Sequence, residues 1–450
     1  MDDLTVPQAG AASRADHETG KAEGQPLKQT AASHEGERAA DQSDTGAAGK
    51  VQAGGPPAEA APKAKSRSKA EGTEPEGKPM RHGYTTGSNA TAAAKAALIA
   101  LIEQEPQTEA TIVLPIGERV TFSIIRCEYD QNRAEAEVIK DGGDDPDATH
   151  GARIITEVSW SEVPGIAIDG GIGVGRVTKP GLPVPVGEAA INPVPRKMLR
   201  TVAREVLDEY GIERGVRLVV SVPDGETIAL KTLNGRLGIV GGISILGTRG
   251  TVVPFSTAAY KASVAQAIRV AVQCGCRHLV LSTGGRTEKF GMDMYPELPE
   301  EAFIEMGDFV GFALTQCKRQ GVEKVTMVGM MGKFSKVAQG VMMVHSKSAP
   351  IDFGFLARVA EEAGASRETL QHIGEATTAA YVGDLMQEQG LGGFFEALCR
   401  YCNEAALQET KGGMDIETVI IAMKGALLGQ ALLADRTAAA ANKGDGHEHG

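Results

Sequence analysis

An abrupt change of composition near residue 79 separates the part of this chain that can fold from a part that cannot. Residues 1–78 contain no Phe, Tyr, Trp or Ile and are built mainly from Ala, Gly, Ser, Pro, Glu and Lys. Such a segment buries too little apolar surface to offset the entropy cost of ordering it. We therefore expect a disordered tail over residues 1–78, with an arm that docks on another protein as the alternative. A second disordered tail is expected over residues 437–450.

The composition of the whole chain excludes several classes of protein. Its 450 residues allow two or three domains, and six Cys at irregular spacings favour the reducing cytoplasm over a disulfide framework. Aromatic residues make up only 4%, and the net charge is −12, so no nucleic-acid partner is expected. The sequence has no run of about 18 apolar residues, and its first residues lack the apolar core of a signal peptide, so neither a signal peptide nor a membrane partner is expected.

Residues 79–245 have the pattern of an α+β domain. An Ala-rich helix is predicted over residues 90–103, with Ser88 or Asn89 as its N-cap. A helix over residues 198–210 precedes the last strand. The runs typical of strands are residues 110–115, 119–127, 133–140, 152–160, 166–168 and 216–222.

In residues 246–436, strands alternate with helices. Short apolar strands are predicted at residues 277–282 and 325–328, and a closing hairpin at residues 418–422 and 427–433. The predicted helices are residues 256–273, 300–319, 353–363, 367–388 and 394–410. This alternation indicates an α/β domain of three layers with a mostly parallel sheet.

Gly and basic residues follow the two apolar strands of this second half. Gly284 and Gly285 follow the first strand, Gly329 and Lys333 the second, and His345 comes shortly afterwards. Ligands of parallel α/β sheets bind in the crevice at the carboxyl ends of the strands, and helix N-termini there favour anions. We therefore predict a site for an anionic ligand at this edge, with solvated loop charges as the alternative.

Residues 141–150 (DGGDDPDATH) form an acidic loop. Asp141, Asp144, Asp145 and Asp147 share it with His150. Carboxylates beside an imidazole suit a hard metal ion or general-base catalysis, although the spacing of an EF-hand is absent. The alternative is a solvated acidic turn, but four like charges in one loop require compensation.

Three further patterns bear on ligands. Arg196, Lys197 and Arg200 lie in the first turns of a helix, where cations oppose the helix dipole, so they indicate either an external anion or ordinary surface charge. The Gly-rich segment 169–175 is not a dinucleotide fingerprint, because the residues after it cannot begin a helix. Two Cys pairs, 274/276 and 399/402, have spacings that zinc sites use, but buried structural cysteines are the favoured interpretation and no metal ligand is predicted.

Several segments, in order along the chain, resemble the cobalt-precorrin-5B (C1)-methyltransferase family of anaerobic cobalamin biosynthesis. They are residues 81–87 (RHGYTTG), 141–151 (DGGDDPDATHG), 173–182 (GVGRVTKPGL), 190–196 (AINPVPR), 232–250 (TLNGRLGIVGGISILGTRG), 306–311 (MGDFVG) and 329–340. The resemblance extends over residues 80–435. The chain departs from the family pattern at Asn89, where Cys is usual, and at Arg249 and Val253, where Thr and Arg are usual. It also has Val344 where Thr is frequent.

The resemblance implies transfer of a methyl group from S-adenosylmethionine to carbon C-1 of cobalt-precorrin-5B, which gives cobalt-precorrin-6A and S-adenosylhomocysteine. The cobalt is carried by the substrate, so no metal ligand of the protein is implied. The substrate has a rim of carboxylates, which Arg and Lys bind well. The alternatives are a different transferase acting on an anionic metabolite and a tetrapyrrole carrier without catalysis. Formation of a homo-oligomer is left open.

On this interpretation, the candidate residues have three roles, and residues 79–245 bind the substrate while residues 246–436 bind S-adenosylmethionine. The catalytic candidates are Asp144, Asp145 and His150, since a base accepts one proton from the macrocycle. Cofactor binding is predicted for Gly284, Gly285, Gly329, Lys333 and His345. Substrate binding is predicted for Arg81, Thr85, Thr86, Arg176, Lys179, Arg196, Lys231 and Arg236.

Overall fold

The computed structural model describes residues 79–435, which lie within one compact unit. The two predicted tails, residues 1–78 and 437–450, lie outside the described residues. The helices are α1 Thr86–Glu103, α2 Pro193–Glu209, α3 Gly225–Ala229, α4 Thr257–Gln273, α5 Gly285–Met294, α6 Val310–Arg319, α7 Met331–Val337, α8 Phe353–Glu362, α9 Arg367–Gly374, α10 Ala379–Glu388 and α11 Gly392–Thr410. The strands are β1 Gly83–Tyr84, β2 Glu109–Val113, β3 Arg119–Ser123, β4 Arg126–Tyr129, β5 Arg133–Ile139, β6 Arg153–Ser161, β7 Ile166–Gly170, β8 Gly173–Val174, β9 Arg176–Val177, β10 Gly215–Ser221, β11 Ile239–Val240, β12 Gly242–Ile243, β13 Thr251–Val252, β14 His278–Ser282, β15 Phe303–Glu305, β16 Lys324–Met330, β17 Asp415–Ile421 and β18 Leu427–Leu433.

The first large sheet has five strands in the order β4-β5-β6-β10-β7. Its neighbouring strands are antiparallel except for β10 and β7, which run parallel. Helix α1 packs on β5 and β6 and against α2. Seven Ala residues of α1 are almost fully buried, and their small side chains suit close packing of the helix on its neighbours. One hydrophobic core fills the space between these elements.

The second large sheet has the order β15-β14-β16-β17-β18. Its first four strands are parallel, and β18 runs antiparallel to β17 as the predicted closing hairpin. A second hydrophobic core surrounds this sheet. Because β14, β16 and β17 are parallel, their carboxyl ends lie at one edge, and the residues that follow each strand meet there.

Two of the predicted helices are wrong in part. Residues Glu300–Ala302 form a 3-10 helix, and β15 follows it, although a helix was expected over residues 300–319. Phe303 and Ile304 of β15 are almost fully buried beside β14, so pairing at the sheet edge overrides the local helical pattern. The expected helix 367–388 consists of α9 and α10, because the hydroxyl of Thr378 accepts the Tyr381 N–H and starts a new helix.

Several element boundaries also differ from the predicted ones. The N-cap of α1 is Thr85, whose hydroxyl oxygen accepts the Ser88 N–H, and not Ser88 or Asn89. Helix α2 begins at Pro193, before the predicted residue 198, since proline suits the first position of a helix. Helices α5 and α7 are missed by the sequence pattern. The strand predicted over residues 119–127 is two strands, β3 and β4, in different sheets.

These elements make a mixed α/β fold with sheets that are partly parallel. The three-layer packing of the second half and a domain boundary near residue 245 stay predictions. In the part of the chain that the structure describes, none of the helices is both long and apolar enough to cross a membrane.

Candidate functional site

Three segments that are distant in sequence meet beside the N-terminus of α1. Strand β1 pairs with β13, and the Tyr84 N–H donates to the Asp141 carbonyl oxygen at 2.8 Å. The backbones of Gly83 and Gly143 touch so closely that a Cβ on either would overlap the main chain of the other segment. We call residues 81–87, 141–150 and 246–256 the acidic-loop assembly.

Two of the four carboxylates of the acidic loop are paired with cations, one within this assembly and one next to it. Both carboxylate oxygens of Asp141 accept hydrogen bonds from the Arg81 guanidinium. The Arg81 side chain and the Gly143 N–H hold the pKa of Asp141 at about 2. Lys140 is almost fully buried, and its Nζ lies 2.6 Å from Oδ2 of Asp147. Two of the loop carboxylates therefore have structural partners.

The three catalytic candidates lie in the same assembly and contact main-chain N–H groups. Oδ2 of Asp144 accepts the Arg81 N–H at 2.6 Å, and Oδ1 of Asp145 accepts the Phe255 N–H at 2.9 Å. Each carboxylate keeps a second oxygen for a proton. Nδ1 of His150 accepts the Gly142 N–H at 3.0 Å, which puts the proton of neutral His150 on Nε2. This geometry favours the aspartates over His150 as a base.

Phe255 is a feature of this assembly that sequence reasoning missed. Its φ of 54° is in the left-handed region, which costs a non-Gly residue about 1–2 kcal/mol. The residue is 67% exposed although Phe is usually buried. The hydrogen bond from its N–H to Asp145 fixes this conformation, so an exposed aromatic ring is held next to a candidate base.

Thr85 and Thr86, predicted to bind substrate, are buried parts of the framework. Thr85 caps α1, and its N–H donates to the Gly250 carbonyl oxygen at 3.1 Å. The Thr86 hydroxyl accepts the Leu246 N–H at 2.9 Å. Both side chains are less than 10% exposed. Their observed contacts hold residues 246–250 against the helix.

Most of the cations predicted to bind substrate are paired with carboxylates of the chain. Lys231 is exposed, and its side chain forms no ion pair or hydrogen bond with other residues of 79–435. The pairs are Arg81 with Asp141, Arg176 with Asp169 at 2.8 Å, Lys179 with Glu301 at 2.5 Å, Arg196 with Glu188 at 3.1 Å, and Arg236 with Glu288 at 2.5 Å. The pairs of Lys179 and Arg236 join residues 178–238 to the 3-10 helix and to α5.

A cavity of about 480 Å³ opens at the carboxyl edge of the parallel sheet. We call it the edge cavity, and its lining residues are Asp308, Gly332, Lys333, Lys336, Val344, His345, Ser346, Ala349, Pro350 and Ile351. The structure thus brings together Lys333 and His345, two of the predicted cofactor-binding residues. Lys333 Nζ donates to the Thr283 carbonyl oxygen at 3.0 Å, which ties the end of β14 to this cavity.

The three predicted glycines have different surroundings. Gly284 precedes α5 and Gly285 begins it, and a Cβ at either would have no atom within 4 Å. They therefore leave open space beside the end of β14. Gly329 lies within β16, where a Cβ would overlap the ring of Phe334. Its role in the structure is to admit that ring.

Asp308 lines the edge cavity and was not among the predicted site residues. Its Oδ1 is buried and accepts no hydrogen bond within residues 79–435, although Lys333 Nζ lies 3.1 Å away. A buried acceptor with unused capacity suits a hydroxyl or ammonium donor of a ligand. The available signal was the segment 306–311 (MGDFVG), which resembles the family and contains Asp308. Lys336 is 4% exposed, and its Nζ donates to the His345 carbonyl oxygen at 2.7 Å.

Comparison with known proteins matches this chain to one family along most of its length. The family models described as CbiD and as the CbiD C-terminal domain match residues 73–254 and 343–432. A cobalt-precorrin-5B C(1)-methyltransferase of Geobacillus sp. (strain WCH70) is 66% identical over 358 residues, which cover 80% of this chain and 98% of that protein. The protein of the same name from Priestia megaterium is 65% identical over 357 residues, 79% of this chain and 97% of the relative.

A solved structure of a cobalamin biosynthesis protein (cbiD) from Archaeoglobus fulgidus is 30% identical and covers 56% of this chain and 78% of its own. Its TM-score of 0.32 is too low to support an argument about the fold. The sequence identity to the bacterial relatives is high and extends over nearly their whole length. The chain belongs to the CbiD family.

Proposed function

We propose that this protein is a C-methyltransferase that transfers the methyl group of S-adenosylmethionine to C-1 of cobalt-precorrin-5B, in anaerobic cobalamin biosynthesis. The products are cobalt-precorrin-6A and S-adenosylhomocysteine. The observation that carries this proposal is the 66% identity over 98% of a relative named for that reaction. Cobalt belongs to the substrate, so the protein needs no metal ligand.

We assign the edge cavity to S-adenosylmethionine. Its volume of about 480 Å³ lies within the range of about 300–1,000 Å³ for small-molecule sites. Lys333 carries a positive charge that suits the methionine carboxylate, and Oδ1 of Asp308 suits a ribose hydroxyl. His345 lines the same cavity, while Gly284 and Gly285 leave room beside the end of β14. Residues 79–245, together with Phe255, then bind the macrocycle, and the rest of residues 246–436 bind the methyl donor.

The sulfonium methyl group supplies the electrophile for this reaction. A ring carbon displaces it in line: a carbon–carbon bond forms, the carbon–sulfur bond breaks, and S-adenosylhomocysteine leaves. The protein's contribution is then chiefly to hold the two molecules in line and to exclude water. One proton leaves the macrocycle, and a carboxylate of the acidic-loop assembly accepts it.

We propose Asp145 as the first candidate for this base and Asp144 as the second. Asp145 is half-buried, and the Phe255 N–H orients it through Oδ1, so Oδ2 is left to accept the proton. The exposed ring of Phe255 offers a flat apolar surface beside it for the macrocycle. His150 is the weaker candidate because Nδ1 is already an acceptor.

The test is an assay of the purified protein with cobalt-precorrin-5B and S-adenosylmethionine labelled in the methyl group. We expect one labelled methyl group on C-1 and one S-adenosylhomocysteine per turnover. Calorimetry with S-adenosylhomocysteine checks the cofactor site separately. A protein that binds the tetrapyrrole but neither binds S-adenosylhomocysteine nor transfers methyl groups would be a carrier, and the proposal would be wrong.

A further inference from the structure

A second cavity of about 480 Å³ lies along the exposed face of α2, outside the acidic-loop assembly and the edge cavity. We call it the α2 groove. One wall is α2 itself, with Pro193, Arg196, Lys197, Arg200, Thr201, Arg204, Glu205 and Asp208; the other is Pro183, Val184, Pro185, Glu188 and Ile191.

The basic side chains of the α2 groove form a stripe. Arg196, Arg200 and Arg204 are spaced by four residues and therefore lie on one face of the helix, with Lys197 beside them. Arg196 is paired with Glu188. The side chains of Lys197, Arg200 and Arg204 are exposed and form no ion pair or hydrogen bond with other residues between 79 and 435. Like charges at this spacing destabilise a helix, and a bound anion would offset that repulsion.

The opposite wall of the α2 groove is apolar apart from Glu188, which pairs with Arg196. Pro183 and Pro185 have fixed φ angles, and Val184 and Ile191 are buried apolar side chains of the same wall. A small inorganic anion gains nothing from such a wall. An organic molecule with an apolar body and several carboxylates contacts both walls at once, through its body and its charges.

The α2 groove begins next to the acidic-loop assembly. The Asn192 N–H, just before α2, donates to the Ile245 carbonyl oxygen at 2.9 Å. A Cβ on Gly87 of α1 would lie 2.6 Å from the ring of Pro195. A ligand that lies along α2 is therefore directed toward the N-terminus of α1, where the candidate base is held.

We propose that the α2 groove is a subsite for the carboxylate rim of the tetrapyrrole, with Lys197, Arg200 and Arg204 binding its carboxylates. The nature of the ligand rests on the proposed function. Arg196 is a positioning residue here, because its guanidinium pairs with Glu188 of the opposite wall at 3.1 Å. This subsite supplies binding energy away from the reacting carbon.

A binding experiment tests the α2 groove without methyl transfer. The probe is uroporphyrin, a tetrapyrrole with eight carboxylates, titrated into the full chain by fluorescence. The variant is Arg200→Gln with Arg204→Gln, and the matched control is Arg400→Gln, which removes an exposed charge from the middle of α11. Since each lost charged contact weakens binding about tenfold, we expect an increase in Kd of about 100-fold for the double variant and none for the control.

Three results of this titration would overturn the proposal. They are no binding of uroporphyrin by the wild-type chain, equal Kd values for the wild-type chain and the double variant, and equally tight binding of the octamethyl ester, which has no carboxylates. A thermal melt of each variant checks that the fold is intact.

Kinetics separate this proposal from the proposed function. In the methyl-transfer assay, the double variant should raise KM for cobalt-precorrin-5B about 100-fold with kcat nearly unchanged, because the lost contacts bind substrate and transition state alike. The Kd for S-adenosylhomocysteine should not change. If the wild-type enzyme is active and the double variant has the same KM, the subsite is refuted and the proposed function is not. An inactive wild-type enzyme refutes the function, and the uroporphyrin titration still decides the α2 groove.

Discussion

The substitution Glu417→Gln should lower the stability of the protein in a way that depends on pH. Glu417 lies in β17 and is 5% exposed. Its Oε2 accepts hydrogen bonds from Lys324 at 2.7 Å, Thr326 at 2.8 Å and Tyr295 at 2.9 Å, and its Oε1 accepts one from Gln430 at 2.6 Å. Burial alone raises the pKa of Glu417, but these four donors outweigh it and lower the pKa to about 2.

The magnitude follows from linkage between ionisation and folding. An ordinary Glu has a pKa of 4.5, so folding lowers the pKa of Glu417 by roughly 2.5 units, which corresponds to about 3 kcal/mol. A lowered pKa in the folded state stabilises the protein above the unfolded value. This stabilisation is complete above pH of about 5 and is lost as the pH falls toward about 2.

The assay is urea unfolding of the wild-type chain and of Glu417→Gln at several pH values between 7 and 3. We expect the variant to be about 3 kcal/mol less stable at pH 7, with a difference that shrinks as the pH falls, because protonation removes the same charge from the wild type. The control is Glu404→Gln, an exposed position on α11 that should change stability by less than about 0.5 kcal/mol. A difference that is the same at pH 7 and pH 3 would refute this account. Methyl transfer at pH 7 should survive, since Lys324 begins β16 and the edge cavity lies beyond its other end.

Three further predictions concern the site and the tail. Asp145→Asn, or Asp144→Asn, should lower turnover at least about 100-fold with little change in Tm. The reason is that Asn keeps the acceptor for the main-chain N–H but cannot take the proton. Wild-type rates in both variants would show that the loop has only a structural role. Gly284→Leu should weaken binding of S-adenosylhomocysteine, measured by calorimetry, more than it weakens folding. The fold should tolerate the side chain because a Cβ there meets no atom within 4 Å. Unchanged binding would mean that the cofactor binds elsewhere. A chain that starts at Lys78 should keep its Tm and its methyl transfer, and a large loss of either would contradict a disordered tail.

The sequence predicted those parts of the fold that depend on local patterns. The strands β14 and β16 and the hairpin of β17 and β18 are short apolar runs between clear turns, so their positions are close to those expected. Strand β15 was missed because Phe303 and Ile304 are strand residues only through pairing with β14, which is separated from them by α5. Local propensity contains no information about such a partner.

The candidate site was predictable where one segment supplies it and unpredictable where two segments meet. The acidic loop and Lys333 stand out in the sequence by charge and position. The ion pairs of Arg196 and Arg236 could not be predicted from the sequence, because their carboxylate partners, Glu188 and Glu288, can be assigned only once the chain has folded. Basic residues that look suited to a ligand in the sequence are here mostly paired with carboxylates of the same chain. The side chains of Lys197, Arg200 and Arg204 have no carboxylate partner within residues 79–435.

The ion pair between Arg236 and Glu288 has a consequence for how this protein can evolve. Both side chains are less than 20% exposed, so loss of Arg236 leaves Glu288 poorly solvated without this partner, and loss of Glu288 leaves Arg236 with the longer contact to Glu300 at 3.5 Å. Substitution at one position is therefore costly unless the other position changes with it. Arg236 lies in the segment 232–250, and Glu288 lies in the first turn of α5, next to Gly284 and Gly285. Divergence of the two halves of the enzyme should thus proceed by paired substitutions across this contact, and relatives should carry either both charges or neither.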